Sequence, residues 1–227
     1  MEDKIYLSKV VECRKIELQS NLCLWGKHHI RRFPWRENRS PYSVLISEIL
    51  LRRTTSTAVK RIYEKFMSLY PNVQELAKAD KKQLENLLLN IGFHKQRTRI
   101  LITIADFIIK TYDSKIPNTK ENLLKIPYIG NYTANAILSL SYGIPSAMVD
   151  SNVERIIKRV FLRHLPKKVS IRAVQKVADI LSPLEDNQNF NYTLLDFGAL
   201  ICRYRIPKCE KCPINNFCNT YLCRKLS

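Results

Sequence analysis

Leu124-Lys125-Ile126-Pro127-Tyr128-Ile129-Gly130-Asn131-Tyr132-Thr133-Ala134 reads as the end of one helix, a tight turn and the start of another. Pro127 and Gly130 punctuate the turn. At a helix N-terminus such as Gly130 to Thr133, unpaired backbone N–H groups and the positive end of the helix dipole can hold a phosphate without reading sequence. Plain packing of one helix on the next is the other reading of an isolated I-G-x-x-T-A segment. This stretch alone leaves both open.

Outward from the hairpin, apolar residues recur at three- and four-residue spacing, strand-like alternation is nowhere sustained, and the chain holds only five glycines. These features predict a nearly all-α protein. In Tyr42-Ser43-Val44-Leu45-Ile46-Ser47-Glu48-Ile49-Leu50-Leu51 the apolar positions are too many for a surface helix and suit a buried one. Further helices are predicted at about 5–30, 55–70, 80–90, 95–112, 119–125, 131–142, 150–162, 170–182 and 188–201, their ends placed to within roughly two to four residues. Connections are short and marked by Pro34, Pro41, Pro71, Pro117, Pro127, Pro145, Pro166 and Pro183. Neither a low-complexity linker nor an internal repeat stands out.

The 227 residues, 45% of them hydrophobic, suffice for one large domain or for two small lobes sharing one. Lys and Arg number 38 against 20 Asp and Glu, a formal charge of +18. Such a potential draws in polyanions and makes binding salt-sensitive, so nucleic acid is the leading partner. An anionic membrane surface is the rival, yet no apolar run approaches the roughly 20 residues of a transmembrane helix. Met1-Glu2-Asp3-Lys4 has no signal-peptide architecture, and a cytoplasmic location is expected, nucleoid-associated in a prokaryote. Cysteines there stay reduced, and clustered ones point to metal before disulfides.

Four of the seven cysteines, Cys202, Cys209, Cys212 and Cys218, are spaced C-x6-C-x2-C-x5-C, which lets their thiolates converge on a compact cofactor. Structural zinc competes, although zinc modules normally pair two close-spaced knuckles and only Cys209 and Cys212 form a C-x2-C pair here. Ligand chemistry alone leaves zinc and an iron–sulfur cluster both open. Arg203, Arg205, Lys208 and Lys211 lie among these cysteines, so the loop is expected to present cations to a phosphate backbone. Its role would be structural and DNA-binding, without redox chemistry in the reaction. Cys13, Cys23 and Cys223 read as ordinary thiols.

Past the turn at Gly143-Ile144-Pro145 comes Ala147-Met148-Val149-Asp150-Ser151-Asn152-Val153-Glu154-Arg155. Asp150 precedes the apolar-periodic residues Val153, Ile156, Ile157 and Val160, the position of a helix cap. A carboxylate at a helix mouth facing DNA could also stabilise a developing sugar cation and activate water.

Taken together, these motifs resemble the endonuclease III and MutY superfamily of helix-hairpin-helix DNA glycosylases, and the resemblance spans nearly the whole chain. The family's hairpin ends in G-x-x-T-A, its catalytic aspartate sits in a V-D motif just downstream, and its cluster ligands have the same C-x6-C-x2-C-x5-C spacing. Gly130 to Ala134, Val149-Asp150 and the four cysteines match in order and distance. The resemblance implies an all-α fold of two helical lobes with a helix-hairpin-helix motif and a C-terminal [4Fe-4S] cluster loop. Residues 34–145 would form a six-helix lobe carrying the hairpin; 1–33 and 146–227 would form a discontinuous second lobe carrying the cluster loop. Asp150 becomes the catalytic carboxylate.

Lyase-competent members carry a lysine immediately before the T-A, where it attacks the sugar to form a Schiff base. Tyr132 stands there in this chain, and a phenol cannot form an imine. The resemblance therefore implies a monofunctional enzyme in which water completes the reaction; Lys125 lies on the wrong side of the turn to substitute. Tyrosine at that position, and Ile49-Leu50-Leu51-Arg52-Arg53-Thr54-Thr55, resemble Mig-type thymine-DNA glycosylases acting on T or U opposite G. MutY-type adenine glycosylases tend to show Q-Q-T where this chain has Arg52-Arg53-Thr54, and a serine at the Tyr132 position. Phe33-Pro34-Trp35-Arg36 and Pro41-Tyr42 are shared with both groups. An adenine glycosylase on the same scaffold and a noncatalytic iron–sulfur DNA-binding protein are the alternatives. One departure stands out: the family hairpin reads P-G-x-G, and Tyr128 replaces its first glycine. Either the turn adopts another backbone or phosphate binding there is weakened.

The implied mechanism flips a mispaired thymine or uracil out of bent duplex DNA into a pocket between the two lobes. Tyr132 lines that pocket, and Asp150 stabilises the oxocarbenium-like centre and orients water. Glu48 either hydrogen-bonds the pyrimidine or its water, or pairs with Arg52 one turn on. Arg52 and Arg53 reach the orphan guanine or pair with phosphates. Gln96 and Arg97 contact DNA or form a wedge, or else make a solvated helix start. Gly130, Asn131 and Thr133 hold phosphate. Trp25 and Trp35 anchor the core. A monomer is expected, with an AP endonuclease acting on the product.

Overall fold

The computed structural model describes residues 2–165 and 169–226, and Pro166 lies outside the described residues. Among the described residues the regular elements are helical, with no strand: α1 Glu2–His29, α2 Pro34–Glu37, α3 Pro41–Leu50, α4 Ser56–Leu69, α5 Val73–Ala77, α6 Lys81–Leu88, α7 His94–Tyr112, α8 Lys120–Lys125, α9 Asn131–Tyr142, α10 Ser151–Val160, α11 Ile171–Leu181, α12 Asn187–Leu200 and α13 Asn219–Leu226. Their starts are written in the local sequence. Ser40, Thr55, Asn72, Asp80, Thr119, Asp150 and Ser170 each accept a first-turn N–H through a side-chain oxygen. That satisfies donors a bare helix end leaves orphaned. Gly143 ends α9 at φ +67°, a left-handed conformation in which glycine meets no Cβ penalty. No described helix is long and apolar enough to cross a membrane.

The chain forms two compact units, Met1–Arg31 with Pro145–Ser227, and Arg32–Ile144. In the Arg32–Ile144 unit, α3 is the central helix: Ser43 to Leu50 are buried except Glu48, as its all-round apolar pattern predicts. It packs on α9 and α7, while α5 and α6 cover α7. Trp35 is buried edge-on to Tyr63 at 5.5 Å, with Phe33 stacked on its face. The other unit is organised by α1, whose stripe Val11, Leu18, Leu22 and Trp25 is buried against α11 and α12. Each such side chain contributes about 1.5–3 kcal/mol by leaving water. Asp196 of α12, fully buried, accepts from Arg31 N at 2.7 Å and Arg31 Nε at 2.8 Å, which fixes the exit of α1.

Three helices escaped sequence reading. α2, α5 and α13 are four, five and eight residues long, too short to add more than about two turns of apolar period.

Close approach of α1 to α12 depends on Gly26: a Cβ there would sit 2.1 Å from Thr193 Oγ1. Gly26→Ala should therefore lower the unfolding free energy by about 1–3 kcal/mol, the range for overpacking a filled core, measured by urea denaturation.

Candidate active site

The hairpin is formed as the sequence implies. Turn residues 126–130 join α8 to α9, Gly130 is the N-cap of α9 without a side-chain cap bond, and Gly130 and Asn131 are exposed. Their backbone N–H groups, at the positive end of a twelve-residue helix, are open to an anion. Thr133 differs. It is buried, and its hydroxyl accepts from Arg52 Nη2 at 3.3 Å, so only its backbone can serve a phosphate.

The turn does not adopt another backbone to suit tyrosine. Tyr128 itself takes φ +63°, the conformation a glycine would adopt freely, and its carbonyl accepts from Arg52 Nη2 at 2.7 Å. A non-glycine residue held there is strained by about 1–3 kcal/mol and persists only where its surroundings enforce it. Arg52 is the enforcing contact, tying the end of α3 to the hairpin. Burial pulls its guanidinium below the ordinary arginine pKa range, and the nearby Glu48 charge pushes it back up. Glu48, half-buried on α3, is thus electrostatically tied to Arg52, and Tyr132 is half-buried in the first turn of α9.

Arg97 requires a correction. A solvated or DNA-facing position was expected; instead it is 4% exposed. Its Nε donates to Gly92 O at 2.9 Å, Nη1 to Ile49 O at 2.7 Å, and Nη2 to Arg52 O. Three backbone carbonyls, that of Ile49 buried and those of Gly92 and Arg52 partly so, explain the burial, because an arginine fork satisfies several acceptors at once. It is a brace for the loop after α3. Gln96 and Arg53 are exposed. Together with Arg52, Arg97, Phe93 and Tyr128 they line a cavity of about 450 Å³, so the structure gathers Arg52, Arg53, Gln96 and Arg97, four of the seven residues singled out for DNA contact, around one cavity. Arg53, Phe93 and Tyr128 on its rim all have positive φ, at 51°, 52° and 63°. Phe93 is exposed with the Arg53 guanidinium 5.9 Å from its ring centre, and its sequence carries no sign of this role.

In the other unit, Asp150 caps α10 as its position in the sequence allows. Oδ1 accepts from Asn152 N and Val153 N, each at 2.8 Å, and Oδ2 accepts from Asn152 Nδ2 at 2.7 Å. The carboxylate is half-buried and held at both oxygens. An ionised carboxylate offers about four lone-pair sites, so three donors leave acceptor capacity. Capping and chemistry are compatible in the same group.

Cys202, Cys209, Cys212 and Cys218 line one pocket with Ile201, Pro207 and Tyr221. The Cys212 thiol is pushed up to about 12, first by burial and also by the other three cysteines, against a partial offset from the Ile214 N–H, so the four sulfurs sense one another. Tyr221 N–H and Thr220 N–H point at Cys218 sulfur, and Arg159 Nη1 lies 3.4 Å from Cys202 Sγ. Among the described residues, no three His, Cys, Asp or Glu side chains converge closely enough to hold one metal ion. Arg203, Arg205, Lys208 and Lys211 are exposed around the pocket, as expected of a cationic loop. Arg155 and Arg159 of α10, unremarked in the sequence, grip this loop through its backbone.

A family model described as HhH-GPD superfamily base excision DNA repair protein matches residues 46–179. The chain is 37% identical over 209 residues to a thymine/uracil-DNA glycosylase of Methanothermobacter thermautotrophicus, covering 92% of this chain and 94% of that protein. It is 35% identical over 198 residues to a thymine-DNA glycosylase of Aeropyrum pernix, covering 83% and 86%. A solved thermostable thymine-DNA glycosylase superposes with a TM-score of 0.88 at 35% identity, over 92% of this chain and 97% of that one.

Two substitutions test the braces. Tyr128→Gly should raise the unfolding free energy by about 0.5–1 kcal/mol, since relief of left-handed strain outweighs the entropy of glycine. Arg97→Met should lower it by about 2–4 kcal/mol by removing three hydrogen bonds and leaving the buried Ile49 carbonyl unsatisfied. Guanidinium melts measure both; an unchanged or lower stability for Tyr128→Gly contradicts the strain.

Proposed function

Because the chain belongs to the HhH-GPD superfamily of base excision DNA repair proteins, we propose that it is a monofunctional DNA glycosylase releasing thymine or uracil mispaired with guanine. One observation carries the chemistry: a half-buried carboxylate, Asp150, fixed at the mouth of α10 with acceptor capacity to spare. When the N-glycosidic bond breaks, its electron pair leaves with the base and positive charge develops on the sugar. Asp150 stabilises that charge and takes a proton from the water that adds to the sugar, leaving an abasic site. Tyr132 supplies no amine for an imine, so strand cleavage falls to a separate AP endonuclease. Tyr132 lines the base pocket. Glu48 supports Arg52 and, as a second role, hydrogen-bonds the flipped pyrimidine or its water.

The thymine/uracil assignment rests on similarity to the glycosylases of Methanothermobacter thermautotrophicus and Aeropyrum pernix together with Tyr132 and the Arg52-Arg53-Thr54 segment. A T·G or U·G pair is cheaper to open than a matched pair, which supplies part of the selectivity. Exposed N–H groups at Gly130 and Asn131 hold the backbone phosphate, and Arg53 and Gln96 at the 450 Å³ cavity face DNA, with arginine suited to guanine acceptors.

Cys202, Cys209, Cys212 and Cys218 would hold a [4Fe-4S] cluster. Zinc modules normally pair two close-spaced cysteine knuckles, whereas here only Cys209 and Cys212 form a C-x2-C pair, the four cysteines line one pocket, and their C-x6-C-x2-C-x5-C spacing is that of the family's cluster ligands. Backbone N–H groups of Thr220 and Tyr221 and the Arg159 guanidinium are directed at the sulfurs and would donate to cluster-bound thiolates. When bound, the cluster supplies structural cross-linking of a cationic loop.

The test is base release from duplexes bearing a single T·G, U·G, A·G or A·8-oxoguanine pair, with and without alkali. Thymine and uracil should be released, strands should break only after alkali, and borohydride should trap no covalent adduct. Release of adenine alone would place the chain with the adenine glycosylases; a borohydride adduct would refute the monofunctional assignment.

A further inference from the structure

The chain re-enters the unit that holds Asp150 at Pro145 and reaches the carboxylate through Ser146-Ala147-Met148-Val149, a stretch with neither helical nor strand backbone. Ala147 and Met148 are buried, so the backbone here needs partners that a regular element would otherwise supply. Side chains of α11 and α12 supply them. Asn191 Oδ1 accepts from Met148 N at 3.0 Å, and Asn191 Nδ2 donates to Ser146 O at 2.9 Å. Asn187 Oδ1 accepts from Ser146 N at 3.2 Å, and Gln175 Nε2 donates to Ala147 O at 3.0 Å.

Asn191 thus takes the carbonyl before Ala147 and the N–H after it, the two groups that one residue of a neighbouring strand would take in a parallel sheet. Its amide fits only one way round, because Met148 N offers a hydrogen and Ser146 O accepts one. Asn187, one turn earlier on α12, backs it: Asn187 Oδ1 accepts from Asn191 Nδ2 at 3.1 Å, while Asn187 Nδ2 donates to Ser182 Oγ and Pro183 O. Both asparagines are buried.

At an inert position, satisfying buried backbone would be reason enough for these contacts. Here the segment ends on Asp150, itself extended, two residues and about 7 Å of chain beyond the Met148 bond. Side chains alternate between faces along an extended chain, so a slip of one residue would turn the carboxylate away from its present side. The cap bonds fix Oδ1 against α10, and Asn191 fixes the backbone that leads into it. Held from both directions, the carboxylate keeps one heading.

We propose that Asn191, backed by Asn187 and Gln175, is a positioning residue that sets the register of residues 146–148 and so the direction in which Asp150 presents its carboxylate. The proposal rests on the reading of Asp150 as the reacting group.

Asn191→Ala and Gln175→Ala test it in the purified protein, beside Val177→Ala, which removes buried core volume on α11 and none of these bonds. Four readouts are needed: thermal melting, affinity for a U·G duplex, single-turnover base release at saturating duplex well below the melting range, and hydrogen exchange at the Asn152 and Val153 amides. Asn191→Ala should slow release by about 10- to 100-fold, the scale expected for a displaced reacting group, while duplex affinity holds and both amides exchange faster than the rest of α10. Gln175→Ala, which loses the single bond to this segment, should act in the same direction and less. Val177→Ala should melt earlier and release base at the wild-type rate. Wild-type release by folded Asn191→Ala would overturn the proposal, and Gln175→Ala decides in the same way if Asn191→Ala does not fold. An equal loss of release in Val177→Ala would also overturn it, since lowered stability would then account for the effect. If the unaltered protein releases no base, the reading of Asp150 as the reacting group fails instead. The exchange data still decide the hold on the carboxylate, which wild-type protection of both amides in the variants would refute.

Discussion

Hydrogen bonds that close on the Asp150 carboxylate determine where α10 begins and which way its first turn faces. Once that end is fixed, Val153, Ile156, Ile157 and Val160 fall on the side that packs into the core of their unit. Asn152, Arg155 and Arg159 are left at spacings from which they reach the loop after α12. The same bonds that terminate a helix therefore orient the carboxylate proposed to react and anchor the arms that brace the cysteine loop. Orientation of a charged group by preorganised donors is what makes it effective toward charge developing in a transition state, because nothing need reorganise as the bond breaks.

Arginines play a comparable part in the other unit. Arg97, buried beneath the end of α3, holds the carbonyls of Ile49, Arg52 and Gly92, and Arg52 in turn holds Tyr128. These contacts keep three non-glycine residues at positive φ around one open cavity. Strain of this kind collects where a surface is shaped for a ligand and is sustained by packing elsewhere. The hairpin consequently keeps a glycine-like backbone while presenting an aromatic ring, with its exposed Gly130 and Asn131 N–H groups undisturbed.

Much of this was legible in the residues. Apolar spacing declared the longer helices, the all-round apolar face of α3 declared its burial, and cysteine spacing with Val149-Asp150 and Gly130 to Ala134 carried the resemblance to the family to which the chain belongs. What stayed hidden depends on acceptors far away in the chain. Arg97 looks like a solvated helix start because the carbonyls it serves at Arg52 and Ile49 lie 45 and 48 positions earlier. Arg155 looks like one more basic residue on a charged helix, yet Cys202 lies 47 positions later. Backbone carbonyls carry no residue signature, so no local pattern announces them. Tyr128 was legible as a departure, but whether the turn or the tyrosine would yield is decided by the Arg52 contact.

The central claim is that a fixed carboxylate at the head of α10 performs the reaction. Asp150→Asn tests it most directly, because an amide oxygen can still accept the cap N–H groups at Asn152 and Val153 while the negative charge is gone. Measured on a U·G duplex, this variant should retain DNA affinity and lose base release; base release at the wild-type rate would contradict the account.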